Sequence, residues 1–259
     1  MTKIKVGIAL NQEHCTIEQL RNAWREADHL GFDSIWLPDH FFPFTGDLNG
    51  SFFEAWSLLA GMAVDTSRAQ IGTLVSCYGY RNADLLADMA RTVDHLSGGR
   101  VILGVGAGGM GERDYQEYGY DLGDEITRVR QFKEFLPRLK RRLGKLNPPP
   151  LGPMPLLIAG FGEKVMLRLV AEYADMWNGA GTPEMALQKN RVLDEWCSKV
   201  GRDPAEIERT VILFYPGLEE CLLPRWREYV EGGFQHLLVP VGTPFNFDEA
   251  KRLLDAVKA

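Results

Sequence analysis

Cysteine is scarce in this sequence and follows no regular spacing. The four cysteines lie at positions 15, 77, 197 and 221, with no Cys-x-x-Cys pair among them. Zinc sites and disulfide frameworks need cysteines at short, repeated spacings, so we expect neither. Scattered, unpaired cysteines are typical of proteins in the reducing cytoplasm, and a cytoplasmic location is therefore expected.

Long apolar runs and long basic runs are also absent. Gly, Pro or a charged residue interrupts every apolar run well before the ~18 residues that a membrane span needs, so no membrane partner is expected. The first six residues lead straight into a strand pattern and leave no room for the apolar core of a signal peptide. The net charge is −6, and the one basic cluster, 138–142, ends a helical pattern, so nucleic acid is not an expected partner.

Two patterns alternate regularly over the 259 residues. Short runs rich in Val, Ile and Leu are each followed by a longer segment of helical spacing, which indicates a parallel sheet covered by helices. Eight such units predict one α/β domain over residues 1–259, folded as a (β/α)₈ TIM barrel. The predicted strands are 5–10, 34–37, 71–75, 101–105, 155–159, 176–178, 210–214 and 236–240. The predicted helices lie between a Thr16 cap and Gly31, and at 53–64, 83–96, 124–143, 163–173, 183–200, 219–231 and 247–257.

Active sites of such barrels lie at the carboxyl ends of the strands, so the residues that follow each predicted strand are the candidates. His40 is the strongest of them, because imidazole titrates near neutrality and Asp39 precedes it at the end of the second strand. A histidine that only packs within its loop is the alternative. The loop 41–52 is aromatic enough to line a substrate pocket, although plain packing on the rim explains it equally well. No strand carries His-x-His or clustered carboxylates, so no metal site is expected.

Two glycine-rich turns also follow predicted strands. Gly104, Gly106 and Gly109 match the G-x-G-x-x-G dinucleotide fingerprint. That fingerprint should open a helix at once, whereas residues 111–123 are predicted to form a loop. Gly160 and Gly162 lead directly into a predicted helix, whose free N–H groups favour a phosphate. In both turns, close packing without a ligand is the alternative role for glycine.

Four ordered motifs resemble the bacterial luciferase-like superfamily, and specifically its branch that depends on the deazaflavin coenzyme F420. The motifs are LGFDSIWLPDH at 30–40, GTLV at 72–75 with YRNA at 80–83, LSGGRVILGVGAG at 96–108, and AGFGEK at 159–164 with YADMWN at 173–178. The third is the most specific. The similarity fades after Gly179, where the assignments depend on pattern alone.

The resemblance implies a barrel that binds a flavin-like ring at the strand ends. Asp39 and His40 would lie beside the ring, and a non-prolyl cis bond between Thr73 and Leu74 would back it. The cofactor-binding residues that the resemblance implies are Asp39, His40, Thr73, Leu74, Ser76, Gly106, Ala107, Gly108, Gly109, Gly160, Phe161, Gly162 and Glu163. Glucose-6-phosphate dehydrogenases of this branch carry a catalytic glutamate where this sequence has Gly109, so that particular activity is not expected.

The resulting hypothesis is an F420-dependent oxidoreductase that transfers a hydride between the cofactor and a small organic substrate. His40 would supply or accept the accompanying proton, and Asp39 would orient His40 or bond the ring. An FMN-dependent luciferase-like monooxygenase and a non-catalytic flavin-binding barrel are the alternatives. A nicotinamide-dependent dehydrogenase is disfavoured, because no helix is predicted directly after the first glycine turn. Relatives are often homodimers, and only that analogy bears on the oligomeric state.

Overall fold

The computed structural model describes residues 3–214 and 222–258. Its strands are β1 (Lys5–Leu10), β2 (Ser34–Leu37), β3 (Gln70–Thr73), β4 (Ser76–Cys77), β5 (Val101–Gly106), β6 (Leu156–Ala159), β7 (Met176–Gly179), β8 (Glu208–Ile212) and β9 (His236–Val241). Its α-helices are α1 (Ile17–Leu30), α2 (Ala55–Asp65), α3 (Ala83–Ser97), α4 (Glu112–Tyr118), α5 (Glu125–Leu143), α6 (Met166–Tyr173), α7 (Pro183–Val200), α8 (Trp226–Glu231) and α9 (Asp248–Lys258).

The strands close into a parallel barrel. Their order is β3-β2-β1-β9-β8-β7-β6-β5-β4, and a further pairing of β3 with β5 completes the ring. Strands β3 and β4 both pair with β5 and are separated only by Leu74 and Val75. Together they therefore occupy one strand position of an eight-stranded barrel. The predicted (β/α)₈ fold is confirmed. Its extension as one domain over residues 1–259 stays a prediction.

Local sequence signals account for most helix boundaries. The Thr16 side chain accepts from the backbone of Gln19, the Gln19 side chain returns the bond, and Gly31 ends α1 at a φ of 98°. This reciprocal cap and glycine stop confirm the predicted first helix. Several boundaries were predicted wrongly: α2 begins at Ala55 rather than at 53, α6 at Met166 rather than at 163, and β8 at Glu208 rather than at 210. Helix α8 begins at Trp226, after the described residues 222–225 of its predicted range, and residues 111–123 contain α4 rather than only a loop. Residues 219–221 of the seventh predicted helix lie outside the described residues.

A layer of large side chains fills the barrel interior. It comprises Ala9, Trp36, Ile102, Leu157, Met176 and Leu238, all buried. Trp36 is the bulkiest of them and is fully enclosed. A Cβ at Gly72 would lie only 3.0 Å from its ring and would overlap the backbone of the neighbouring strand. Glycine at this point of β3 therefore makes room for Trp36, and the barrel is a packed core, not a pore.

A buried polar network closes the amino-terminal end of the barrel. Ser34 Oγ lies 2.8 Å from His236 Nε2, and His236 Nδ1 lies 3.0 Å from Glu208 Oε1. Lys5 Nζ donates to the second Glu208 oxygen at 2.7 Å. This order resembles a Ser-His-Glu triad, but Ser34 and His236 are fully buried, so no substrate reaches the hydroxyl. The network stabilises the fold and carries no chemistry.

We expect Glu208→Gln to destabilise the protein at neutral pH but not in strong acid. Burial raises the pKa of Glu208, but hydrogen bonds from His236 and Lys5 outweigh it and lower the pKa from 4.5 to about 2. A depressed carboxyl pKa stabilises the fold fully above pH 4.5, and the contribution is lost as the pH falls towards 2. Urea unfolding at pH 7 should show a loss of about 2 kcal/mol that shrinks between these limits.

The exposed pair of Glu206 with Arg202 provides the matched control for Glu208. Glu206→Gln should change the free energy of unfolding by less than about 0.5 kcal/mol, because exposed ion pairs contribute little. A pH-independent deficit in Glu208→Gln would show that lost packing, not the charge network, is responsible.

Cys15, Cys77 and Cys197 are free and buried, whereas Cys221 lies outside the described residues. Over residues 3–214 and 222–258, no helix combines the length and the apolar character that a bilayer crossing requires. The same residues contain no group of three or more His, Cys, Asp or Glu placed to hold a metal ion.

Candidate functional site

The barrel brings the predicted site segments to one arc of its carboxyl rim. Leu37 at the end of β2 is in register with Thr73, Ser76 with Val105, and Gly106 with Ala159. Strands β2, β3–β4, β5 and β6 are therefore consecutive neighbours. Asp39 and His40, the bulge formed by Leu74 and Val75, and both glycine turns lie at the ends of these four neighbouring strands, as the sequence predicts.

His40 is held by an aspartate that the sequence analysis did not single out. His40 Nδ1 lies 2.5 Å from Asp114 Oδ2 on α4, and Asp114 Oδ1 accepts from the Phe41 backbone at 3.1 Å. Tyr80 Oη donates to Asp114 Oδ2 at 3.0 Å. Asp114 is almost fully buried, whereas the His40 side chain remains 15% exposed. A carboxylate at Nδ1 fixes the proton there and leaves Nε2, which has no partner among the described residues, to face a ligand.

Glycine is required where α4 meets this pair. Gly111 adopts a φ of 75°, in the left-handed region. A Cβ at this position would overlap Asp114 and would lie 2.8 Å from His40 Nδ1. The helix that begins at Glu112 thus carries Asp114 directly over the end of β2. The predicted absence of a helix after the first glycine turn is therefore no argument against a nicotinamide enzyme. The closed barrel does argue against reading this turn as the dinucleotide fingerprint, because that fingerprint belongs to an open doubly wound sheet.

Asp39 points away from His40 and into a buried ion-pair network. Its carboxylate accepts from Arg81 at 2.6 and 3.1 Å and from Ser76 Oγ at 2.6 Å. Arg81 also donates to Glu54 at 2.6 Å. Burial raises the pKa of Asp39, and Arg81 and Ser76 oppose that rise. The prediction that Asp39 orients His40 is wrong, because the Asp39 carboxylate bonds Arg81 and Ser76 while His40 Nδ1 bonds Asp114.

The predicted non-prolyl cis peptide bond is present between β3 and β4, but it lies one bond further along the chain than predicted. The non-prolyl cis bond joins Leu74 and Val75, not Thr73 and Leu74. The Ser76 hydroxyl is fully buried between Asp39, Thr73 at 3.0 Å and the Trp56 indole at 2.9 Å. These bonds occupy the hydroxyl, so Leu74 and Val75, both partly exposed, are the residues of this bulge that face the rim.

The bulge explains part of the first glycine turn. A Cβ at Gly104 would overlap the Thr73 carbonyl, and one at Gly106 would lie 2.8 Å from Val75 Cγ2. Packing therefore accounts for these two glycines. Gly109 differs, because it has a φ of 127° and a Cβ there would meet nothing closer than 3.8 Å. The outer end of this turn is open to a ligand.

The second glycine turn presents backbone donors to the rim. Within the described residues, no protein acceptor faces the amides of Phe161 and Gly162. Helix α6 starts soon afterwards, and no side chain caps it. Glu163 contributes less directly, since its carboxylate binds Lys189 at 2.7 Å and its carbonyl accepts from Trp196. Free amides before an uncapped helix are suited to an anion.

Two amide oxygens at the end of β1 also lack donors. Asn11 Oδ1 and Gln12 Oε1 are buried and have no hydrogen-bond partner within the part of the chain that the structure describes. Gln12 itself is fixed, because its Nε2 donates to the backbones of Pro38 and Phe53 at 2.7 and 3.1 Å. Buried acceptors without donors are costly unless a ligand or water satisfies them.

Aromatic side chains of the loop 41–52 pack against α4 beside His40. Phe44 lies edge-on to the His40 ring at 4.6 Å, and Phe41 stacks on Tyr118 at 4.3 Å. Arg113 lies 4.1 Å above the Phe42 ring. Loop and helix together form a wall on one side of the imidazole. Both roles considered for this loop are thus compatible with the structure, since it packs on the rim and also borders His40.

We expect Asp114→Asn to lower kcat roughly tenfold to a thousandfold without a matching loss of cofactor affinity. An asparagine amide that donates to Nδ1 favours the imidazole tautomer with the proton on Nε2. Nε2 then becomes a donor instead of an acceptor. The measurements are the pH dependence of kcat and the dissociation constant of the cofactor. Tyr80→Phe is the control, because it leaves both the His40 and Phe41 bonds of Asp114 in place. Equal losses in the two variants would contradict a tautomer effect.

A sequence profile of luciferase-like monooxygenases matches residues 1–215. The chain belongs to the luciferase-like monooxygenase family. It is 37% identical over 106 residues, 40% of this chain and 32% of the other, to the F420-dependent glucose-6-phosphate dehydrogenase of Amycolatopsis mediterranei. It is 30% identical over 232 residues, 73% of this chain and 60% of the other, to a phthiodiolone/phenolphthiodiolone dimycocerosates ketoreductase of Mycobacterium sp. (strain JLS). The chain thus spans between a third and three fifths of these relatives.

Solved structures of this family share the fold over the whole chain. An F420-dependent secondary alcohol dehydrogenase in complex with an F420-acetone adduct superposes with a TM-score of 0.85 at 19% identity, covering 99% of this chain and 100% of the other. The FMN complex of the oxygenating constituent of 3,6-diketocamphane monooxygenase from Pseudomonas putida gives 0.72 at 12% identity, covering 98% and 95%. At these identities the likeness establishes the fold alone, and luciferase-like proteins with either cofactor share it.

Asp114, Arg81 and Glu54 were missed as site residues for different reasons. Asp114 lies in a segment predicted to be a loop, although its spacing from Tyr115 and Tyr118 is typical of a short amphipathic turn. Arg81 belongs to a motif shared with the family but had no predicted partner. Glu54 was predicted to lie inside a helix, whereas it caps α2 by accepting from Trp56 and Ser57.

Proposed function

We propose that this protein is an F420-dependent oxidoreductase that transfers a hydride between the deazaflavin and a small organic substrate. The observation that carries the proposal is the His40–Asp114 pair, in which Nδ1 is held by Asp114 and Nε2 has no partner among the described residues. The relatives and the full-length structural neighbour that are F420-dependent enzymes support the choice of cofactor. When a hydride moves to or from a substrate carbon that bears an oxygen, a proton must be given to or taken from that oxygen, and His40 is an acid–base group at the rim that can do this.

The residues at the rim fit a flavin-like ring with a phosphate-bearing tail. The free amides of Phe161 and Gly162 suit the phosphate, and the open end of the first turn at Gly108 and Gly109 leaves room for the tail. The unpartnered oxygen of Asn11 accepts from a donor on the ligand. The proposed cofactor-binding set is Asp39, His40, Thr73, Leu74, Ser76, Gly106, Ala107, Gly108, Gly109, Gly160, Phe161, Gly162 and Glu163. Asp39, Thr73 and Ser76 act in it through the buried network that shapes the bulge.

When bound, the deazaflavin supplies or accepts the hydride, and the chain supplies the proton and the geometry. His40 holds or moves the proton at Nε2, while Asp114 keeps Nδ1 protonated and stabilises the imidazolium when it forms. Phe44 and the aromatic wall exclude water from one side of the imidazole. Gly109 provides no carboxylate on the opposite side, so His40 is the proposed single proton-transfer group.

A cofactor titration tests the proposal. Purified protein is titrated with F420 and, separately, with FMN, and binding is followed by the fluorescence of each cofactor. We expect F420 to bind at least about tenfold more tightly than FMN, a difference of about 1.4 kcal/mol. Tighter FMN binding, with oxygen-dependent turnover, would instead support the monooxygenase alternative, for which the FMN-bound structural neighbour is the supporting observation.

Turnover separates the enzyme from the non-catalytic alternative. With the better cofactor bound, a panel of small alcohols, aldehydes and ketones is screened for cofactor oxidation or reduction. Binding of F420 without turnover of any substrate would favour a non-catalytic barrel. The homodimer implied by the resemblance stays a prediction.

A further inference from the structure

A cavity separate from the candidate site lies at the end of the barrel opposite to His40. Its volume is about 500 Å³, and it opens between α7, the start of β8 and the turn 231–235 that precedes β9. The apolar side chains of Leu187, Pro204 and Ile207 form one wall. None of these elements belongs to the carboxyl rim, so this cavity is independent of the proposed function.

Two residues that line this cavity each carry a buried polar atom with no hydrogen-bond partner among residues 3–214 and 222–258. Arg209 is 5% exposed, and its Nη2 donates to Asp194 Oδ1 at 2.6 Å, but its Nη1 donates to nothing. Asn190 is 9% exposed, and its Nδ2 donates to the Gly232 carbonyl at 2.9 Å, but its Oδ1 accepts from nothing. The Nη1 donors and the Oδ1 acceptor therefore remain for a ligand.

The fold explains why both groups reach the same cavity. Thr210 on β8 bonds Asn178 inside the barrel, so its neighbour Arg209 points outward, towards α7. Asn190 and Asp194 are four residues apart on α7 and thus lie on one face of the helix. Asp194 holds the Arg209 guanidinium against this face of α7, where the Cβ atoms of Asn190 and Asp194 are ~5–6 Å apart. That spacing is short enough for one small molecule to bond both groups.

We propose that this cavity binds a small carboxylate with a hydroxyl or ammonium group on the adjacent carbon and an apolar side chain. The carboxylate accepts from Arg209 Nη1, since a guanidinium is the preferred partner of a carboxylate. The neighbouring hydroxyl or ammonium donates to Asn190 Oδ1. The apolar side chain lies along Leu187, Pro204 and Ile207. 2-Hydroxy acids and 2-amino acids share this chemistry.

Four probes of nearly equal size separate the two polar contacts. L-leucine and (S)-2-hydroxy-4-methylpentanoate carry both groups, 4-methylpentanoate lacks the donor, and leucinol lacks the carboxylate. Binding is measured by calorimetry and by chemical-shift changes in the full chain. We expect at least one of the first two to bind at least about tenfold more tightly than 4-methylpentanoate or leucinol, because each of these leaves one buried group unsatisfied. Comparing the binding of leucine with that of the hydroxy acid shows whether the natural ligand is a 2-amino acid or a 2-hydroxy acid.

Variants of the two anchors locate the binding site. Asn190→Ala should reduce the preference over 4-methylpentanoate to within about twofold, and Arg209→Lys, which keeps a charge beside Asp194, should abolish binding of all carboxylates at about 10 mM. Glu195→Gln on the exposed side of α7 is the matched control and should bind normally. If Arg209→Lys does not fold, Asn190→Ala and the four probes still decide the question. Equal binding of all four probes, or none at that concentration, would overturn the proposal.

Discussion

Replacing His40 with alanine is expected to lower kcat by about 10²- to 10⁴-fold, the usual contribution of a positioned acid–base group. F420 affinity should stay within a few-fold of the native value, because the proposed tail contacts of the cofactor lie at the two glycine turns. Turnover should fall because Nε2 is the atom of the His40–Asp114 pair that we propose exchanges the proton. Cofactor titration and steady-state kinetics on the same samples measure the two effects separately.

Two further variants make this result specific to proton transfer. His40→Asn keeps a hydrogen bond to Asp114 but has no acid–base group, so it should be as impaired as the alanine variant. The space left by alanine should admit free imidazole, which we expect to restore part of the lost turnover. If affinity for F420 falls in parallel with kcat in both variants, His40 acts through cofactor binding alone, and its proposed role in proton transfer is wrong.

The sequence was sufficient to predict the barrel and the position of His40, and the reason is physical. Strands buried on both faces are almost wholly apolar, so the eight runs stand out, and each ends where polar residues resume. His40 follows such an end directly. The rule that strand ends of a parallel barrel share one rim then brings distant segments together without any knowledge of side-chain contacts.

The partners of the site residues could not be predicted in the same way. Asp114 is 74 positions from His40, and their contact depends on how α4 lies across the end of β2. Helix α4 has only seven residues and no side-chain cap, so local signals for it are weak. Asp39 and Arg81 are likewise paired by the bulge that follows β3. Such contacts depend on backbone geometry at irregular positions, which periodicity does not encode.

The buried pair of Asp39 and Arg81 should dominate the stability of the rim. We expect Arg81→Met to lower the free energy of unfolding at pH 7 by about 3–5 kcal/mol, because it leaves the fully buried Asp39 carboxylate without a cation. Glu54 also loses a partner, but its side chain is 35% exposed and still caps α2, so its share of the loss is small. Urea unfolding at several pH values is the measurement.

The pH dependence distinguishes an uncompensated charge from lost packing. In Arg81→Met, only the Ser76 hydrogen bond still opposes the rise that burial causes in the pKa of Asp39, so the folded state takes up a proton that the unfolded state, with a carboxyl pKa near 3.8, does not. A raised carboxyl pKa means that the folded variant gains stability as the pH falls from 7 towards 4, and its deficit relative to the native protein should shrink. The double variant Asp39→Asn/Arg81→Met removes the charge altogether and should recover at least half of the loss at pH 7. A deficit that is constant with pH and is not rescued by asparagine would show that the Arg81 side chain stabilises the rim by packing, and that the Asp39 carboxylate is already neutral in the native protein.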